Sequence, residues 1–99
     1  MIVVMGTIRI PPENIEAARP VMTATLEATR AEDGCIAYAY AVDLLDPGLI
    51  HIAERWRDRD ALAAHFKAPH MAEWRAAQPA LGLSERDIRV YETDEGVAV

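Results

Sequence analysis

The sequence predicts an α+β domain with element order β-α-β-β-α-β. Two observations carry this. Four stretches (2–10, 35–42, 49–56 and 88–93) are β-branched or alternate in polarity, as strands do. Between them, apolar residues recur at spacings of three and four, as on the buried stripe of a helix. Ninety-nine residues leave room for one domain, assigned to 1–99, and exclude a full dinucleotide-binding fold or a TIM barrel.

The first strand places Ile2, Val4, Ile8 and Ile10 on one face and Val3 and Met5 on the other. Pro11 and Pro12 end it, and proline is well suited to a helix start. Residues 12–31 read as a helix with Ile15, Ala18, Met22, Leu26 and Thr29 inward. Pro20 inside it predicts a kink or a late start, because proline lacks a donor and clashes with the preceding turn. Asp33 and Gly34 close the helix. The second strand carries Tyr38 and Tyr40 on one face and Ala37, Ala39 and Ala41 on the other. Asp46-Pro47-Gly48 is turn chemistry, making strands two and three a hairpin. Strand three shows Ile50, Ile52, Glu54 and Trp56 on one side and Leu49, His51, Ala53 and Arg55 on the other. Asp58 caps a helix starting at Arg59. Pro69 breaks that helix, a short one follows at 70–77, and a loop is expected at 79–84. After the last strand, 93–99 reads as a tail. This order is the ferredoxin-like split arrangement, an antiparallel four-stranded sheet with helices on one face.

Ten basic against sixteen acidic side chains give a net charge of −6, which argues against nucleic acid and anionic membranes as partners. No apolar run approaches the roughly 20 residues of a membrane span. With no signal-peptide pattern and a single cysteine, Cys35, the expected location is a reducing cytoplasm. Two helices cover one sheet face only, yet strands one and three carry apolar residues on both. A large bare apolar face predicts sheet-to-sheet packing of a symmetric homodimer.

Several stretches together resemble the antibiotic biosynthesis monooxygenase family, within the dimeric α+β barrel superfamily. They are Gly34-Cys35 with Tyr38, the Asp46-Pro47 turn, Glu54 and Trp56 in HIAERW, and ALAAHFKAPHMAEW at 61–74. The last is most similar to the quinol-monooxygenase branch. The resemblance implies a homodimeric barrel, a pocket in each chain between sheet and helices, and oxygenation of an electron-rich phenol or quinol, polycyclic phenols included, with neither metal nor flavin. The haem-degrading branch has an asparagine in strand one and a tryptophan and a haem-ligating histidine in the second helical region. This chain has Thr7, His65 and Arg75 there, a departure that argues against haem.

Under that resemblance His65 is the candidate base, since a histidine accepts a proton near neutral pH and a phenol must lose one before it reduces oxygen. Packing against the sheet is its structural alternative. Glu54, a carboxylate on an apolar strand face, is expected either to orient His65 or to pair with an arginine such as Arg57 or Arg89. Tyr38 and Trp56 offer flat, hydrogen-bonding walls for an aromatic ligand. Phe66, Thr7 and His70 complete the expected binding set. His65 and His70 are five apart with Pro69 between, a poor spacing for one metal ion, so no metal or cofactor site is expected. Isomerase or lyase chemistry in the same pocket, or ligand binding without catalysis, are the alternatives. There is no glycine-rich phosphate loop, Ser-His-Asp order or CxxC pair.

Overall fold

The computed structural model describes residues 1–99. Its elements are β1 (Ile2–Arg9), a 3-10 turn (Pro12–Asn14), α1 (Ile15–Arg30), β2 (Cys35–Val42), β3 (Leu49–Trp56), α2 (Arg59–Phe66), α3 (Pro69–Leu81) and β4 (Ser84–Glu92). The strands form one antiparallel sheet of order β2-β3-β1-β4, the expected ferredoxin-like topology. No helix is long and apolar enough to cross a membrane.

Alternation decides which sheet face the helices cover. Ile2, Val4, Ile8, Tyr38, Ile50, Ile52 and Trp56 are all buried. The register aligns them in rows. Tyr38, Glu54, Val4 and Val90 form one row across the four strands, and Tyr40, Ile52, Gly6 and Ile88 the next. Two apolar clusters grip this face. One joins Ile8, Ile10, Ile50 and Ile52 to Ala18, Met71 and Trp74. The other joins Ile2, Val4, Tyr38 and Trp56 to Ala61 and Leu62. Each fully buried large apolar side chain stabilises by about 1.5–3 kcal/mol.

Local chemistry sets the helix ends. The first helix does not wait for Pro20: a 3-10 turn precedes Ile15, and α1 then runs on through the proline. Asp58 Oδ1 accepts the Ala61 N–H at 2.8 Å, capping α2 as expected. The break expected at Pro69 is observed: α2 stops at Phe66 and Pro69 opens α3, where a first-turn residue needs no intrahelical donor. The loop expected at 79–84 is a correction. The helix passes through Pro79 to Leu81 and stops at Gly82, whose φ of 73° is left-handed backbone that glycine adopts without strain. β4 then begins at Ser84, four residues earlier than expected. Its first half (Ser84, Glu85, Arg86, Asp87) lacks apolar alternation, yet as an edge strand it pairs with β1 through backbone groups. At the opposite edge of the sheet the Arg30 side chain donates from Nε to the Tyr38 carbonyl at 2.9 Å.

The outer sheet face is more mixed than the sequence reading anticipates. Met5 and Tyr91 are exposed beside Ala39 and Ala53, but Thr7, Arg9, His51, Arg55, Asp87 and Arg89 share the surface. His51 bonds Asp43 at 2.8 Å, and Arg9 pairs with Asp46.

Candidate active site

Between the inner sheet face and α2 and α3 lies a cavity of about 150 Å³. Its floor comes from the two side-chain rows, and its roof from His65 and Phe66 of α2 and Met71, Trp74, Arg75 and Gln78 of α3. Four of the expected site residues line it: His65, Glu54, Tyr38 and Phe66. Three do not. Thr7 sits on the outer face, opposite His51 and Asp87, because it is out of phase with Val4 and Ile8. Trp56 is wholly buried behind the wall, where its indole Nε1–H donates to Glu54 Oε1 at 2.9 Å. His70 lies outside the lining, on the far side of His65.

The carboxylate on His65 is Glu32, not Glu54. His65 Nδ1 lies 2.7 Å from Glu32 Oε2, and His70 Nε2 lies 2.9 Å from the same oxygen. With Glu32 ionised, His65 donates from Nδ1 and the Nε2 lone pair stays without a partner in the chain. Glu32 follows Thr29 by three residues, so it extends the inward stripe of α1 past the helix end; that spacing was the available signal. Nor does Glu54 pair with an arginine: Arg57 holds Asp33 and Asp58, and Arg89 holds Asp87. The interruption at Pro69 does not keep His65 and His70 apart, since both rings converge on one carboxylate.

Burial governs the protonation states. It pushes the His65 pKa below its usual value, against the opposing hydrogen bond and charge of Glu32. The ring is therefore neutral at neutral pH, as a base must be. Burial also raises Glu54 to about 7, although the Trp56 N–H and the positive charge of Arg86 favour its ionised form. Tyr38 and Tyr40 share a 2.7 Å hydroxyl–hydroxyl hydrogen bond, and burial raises both, Tyr40 to about 12. One of these two hydroxyls donates to the other and leaves a second proton for a ligand. The ring of Trp56 lies 4.7 Å from that of His65, and the ring of Tyr38 5.3 Å, centroid to centroid. These flat walls hold the imidazole in place.

The family model for antibiotic biosynthesis monooxygenases matches residues 1–77. The chain belongs to this family. Proteins of known structure share its architecture. A Deinococcus radiodurans protein assigned to the antibiotic biosynthesis monooxygenases superposes with a TM-score of 0.91 at 29% identity, covering 100% of this chain and 98% of that one. Rv0793 of Mycobacterium tuberculosis superposes with a TM-score of 0.84 at 28% identity, with 98% of each chain covered. In sequence, Rv0793 is 38% identical over 65 residues, 66% of this chain and 63% of the relative. An uncharacterised Synechocystis protein, sll1783, is 32% identical over 94 residues, 95% of this chain and 64% of that protein. The chain thus spans a little under two thirds of the length of the curated relatives it matches.

Within this family member, residues absent from the expected set also reach the cavity. Tyr40 shares its strand face with Tyr38. Trp74 and Gln78 follow Met71 at helical spacing. Arg86 was hidden by the unmarked start of β4. Of the arginines available to an anionic substrate, Arg75 and Arg86 line the cavity, while Arg55, Arg57 and Arg89 do not.

Proposed function

We propose that the chain is a cofactor-independent monooxygenase that oxidises a single-ring phenol or quinol with molecular oxygen. The Glu32-held His65 in the cavity wall carries the reading. A ring nitrogen with a free lone pair, fixed in one tautomer by a carboxylate, is the arrangement of a general base. A cavity of about 150 Å³ has room for one aromatic ring, since a cavity of about that size accepts benzene.

In this reading His65 Nε2 takes the phenolic proton. The hydroxyl left over from the Tyr38–Tyr40 pair, together with the charge of Arg86, stabilises the phenolate. The phenolate gives one electron to oxygen, and the resulting radical pair joins at a ring carbon as a peroxide. The peroxide O–O bond then breaks. One oxygen stays as the quinone carbonyl and the other leaves as water, taking up the proton held by His65 and the ring hydrogen. Phenol plus oxygen thus yields quinone plus water, with no outside reductant. Glu54 next to this site offers a second proton acceptor of matched pKa. The test is oxygen uptake with single-ring phenols and dihydroquinones in chelator-treated buffer, wild type against His65→Ala. Rates reduced about 10²–10⁴-fold in the variant support the assignment; equal rates overturn it.

Arg75 and Arg86 in the lining favour a second reading, proton transfer on a small anionic metabolite without oxygen. Turnover that survives strictly anaerobic conditions would select it. We also propose that the outer sheet face packs on a second copy of the chain. Support comes from exposed Met5 (55%) and Tyr91 (49%) on a face left without a covering helix. A reducing cytoplasm remains the proposed location.

A further inference from the structure

We propose that Glu32, His65 and His70 bind one divalent transition-metal ion, and that this ion silences the His65 base. The second half rests on the reading of His65 given above; the first does not.

The three side chains come from the turn just after α1, from α2 and from α3. Their ligand atoms all lie within 4.8 Å of one another. Two imidazole nitrogens already flank one carboxylate oxygen, at 2.7 and 2.9 Å. Ligands on a tetrahedral ion with bonds of about 2.0–2.1 Å sit about 3.3 Å apart. The widest pair must therefore close by about 1.5 Å at most, and the two short pairs open slightly. His70 and Glu32 can make that adjustment, because their side chains are 20% and 16% exposed while His65 is locked at 1%. The same exposure is the ion's way in. Two imidazoles and one carboxylate suit zinc and its first-row neighbours, whereas magnesium prefers oxygen ligands and keeps its waters.

Glu32 and His70 do not line the cavity, so the ion sits behind the His65 ring, away from a substrate. It takes the Nδ1 lone pair. A neutral imidazole has one proton, which must then reside on Nε2. The nitrogen that served as base becomes a donor, and the ring can no longer accept a substrate proton.

The test is calorimetric titration of metal-free protein with zinc alone and with magnesium alone near neutral pH. One zinc per chain and no magnesium are expected. His70→Ala and Glu32→Gln each remove a ligand and should weaken zinc binding by more than the roughly 10–100-fold that loss of a ligand's outer hydrogen-bond partner costs. His51→Ala, which removes the histidine on the opposite sheet face, should leave it unchanged. His70→Gln serves as a second probe should His70→Ala lose its circular dichroism. Absence of stoichiometric binding, equal affinity in the His70 variants, or loss of binding in His51→Ala overturns the site. In oxygen-uptake assays zinc should suppress the wild type and spare His70→Ala; suppression of both overturns the silencing. A protein that binds zinc through these residues yet oxidises no phenol refutes the oxygenase reading and keeps the metal site.

Discussion

Glu54 is 7% exposed, with a pKa raised to about 7 from 4.5, and this couples the candidate site to stability. Below pH 4.5 the carboxyl is protonated whether the chain is folded or not. As the pH rises the unfolded chain ionises first, and above 7 the folded chain must hold a buried charge. Stability present at low pH is therefore lost as pH rises through 7, by about 3 kcal/mol from this group alone. Glu54→Gln keeps an acceptor for the Trp56 indole and has no charge to bury. Urea unfolding between about pH 5 and 8 should show this loss in the wild type and a much flatter profile in the variant. Thr29 makes a simpler case. It is fully buried and its Oγ1 has no hydrogen-bond partner, whereas Thr25 bonds the Val21 carbonyl at 2.8 Å. Thr29→Val keeps the shape and removes the orphaned hydroxyl. The variant should gain about 1 kcal/mol, raising Tm by roughly 4–8 °C in a thermal scan. At this scale the sequence was legible where period alone decides orientation. Tyr38 and Glu54 fall on the covered face by alternation, and His65 by helical spacing. Thr7 is in phase with Met5 and Arg9, so alternation alone assigns it to the outer face, whatever residue stands there in the haem-degrading branch. For Glu32 the spacing from Thr29 marks the inward direction only; its partner lies 33 positions away, beyond any local pattern.

Among the elements, the β1–β4 ladder is the most sensitive to a single atom. A Cβ on Gly6 would meet the Asp87 carbonyl oxygen at 2.0 Å and the Ile88 Cα at 2.5 Å. These are backbone atoms that no side-chain rotation can clear. Gly6→Ala should therefore cost about 3 kcal/mol or more, read as a fall in the denaturation midpoint, and should loosen β4 first. Elements with strong period or turn chemistry, such as β2, β3 and the Asp58-capped α2, are plain in the sequence. The end of α3 and the start of β4 are not. Pro79 imitates a helix stop, and the polar opening of β4 imitates a loop, because neither helix continuation nor backbone pairing at an edge leaves a mark in hydropathy.

For the whole molecule, the proposed dimer makes a prediction of mass. The wild type should sediment at twice its 10.9 kDa chain mass, with a Tm that falls on dilution. Ala53 is paired with Ala39 and with Met5 near the middle of the outer face. Ala53→Arg should yield a folded single chain. A wild type that sediments as one chain at all concentrations would remove the dimer and leave the cavity untouched.

The guanidinium of Arg30, seated on the carbonyl of Tyr38, also bears on how copies of the chain meet. An incoming β-strand would need that oxygen as its own acceptor and would first have to evict the cation. Lateral growth into an endless ribbon is thus discouraged at the β2 edge, beside the pocket.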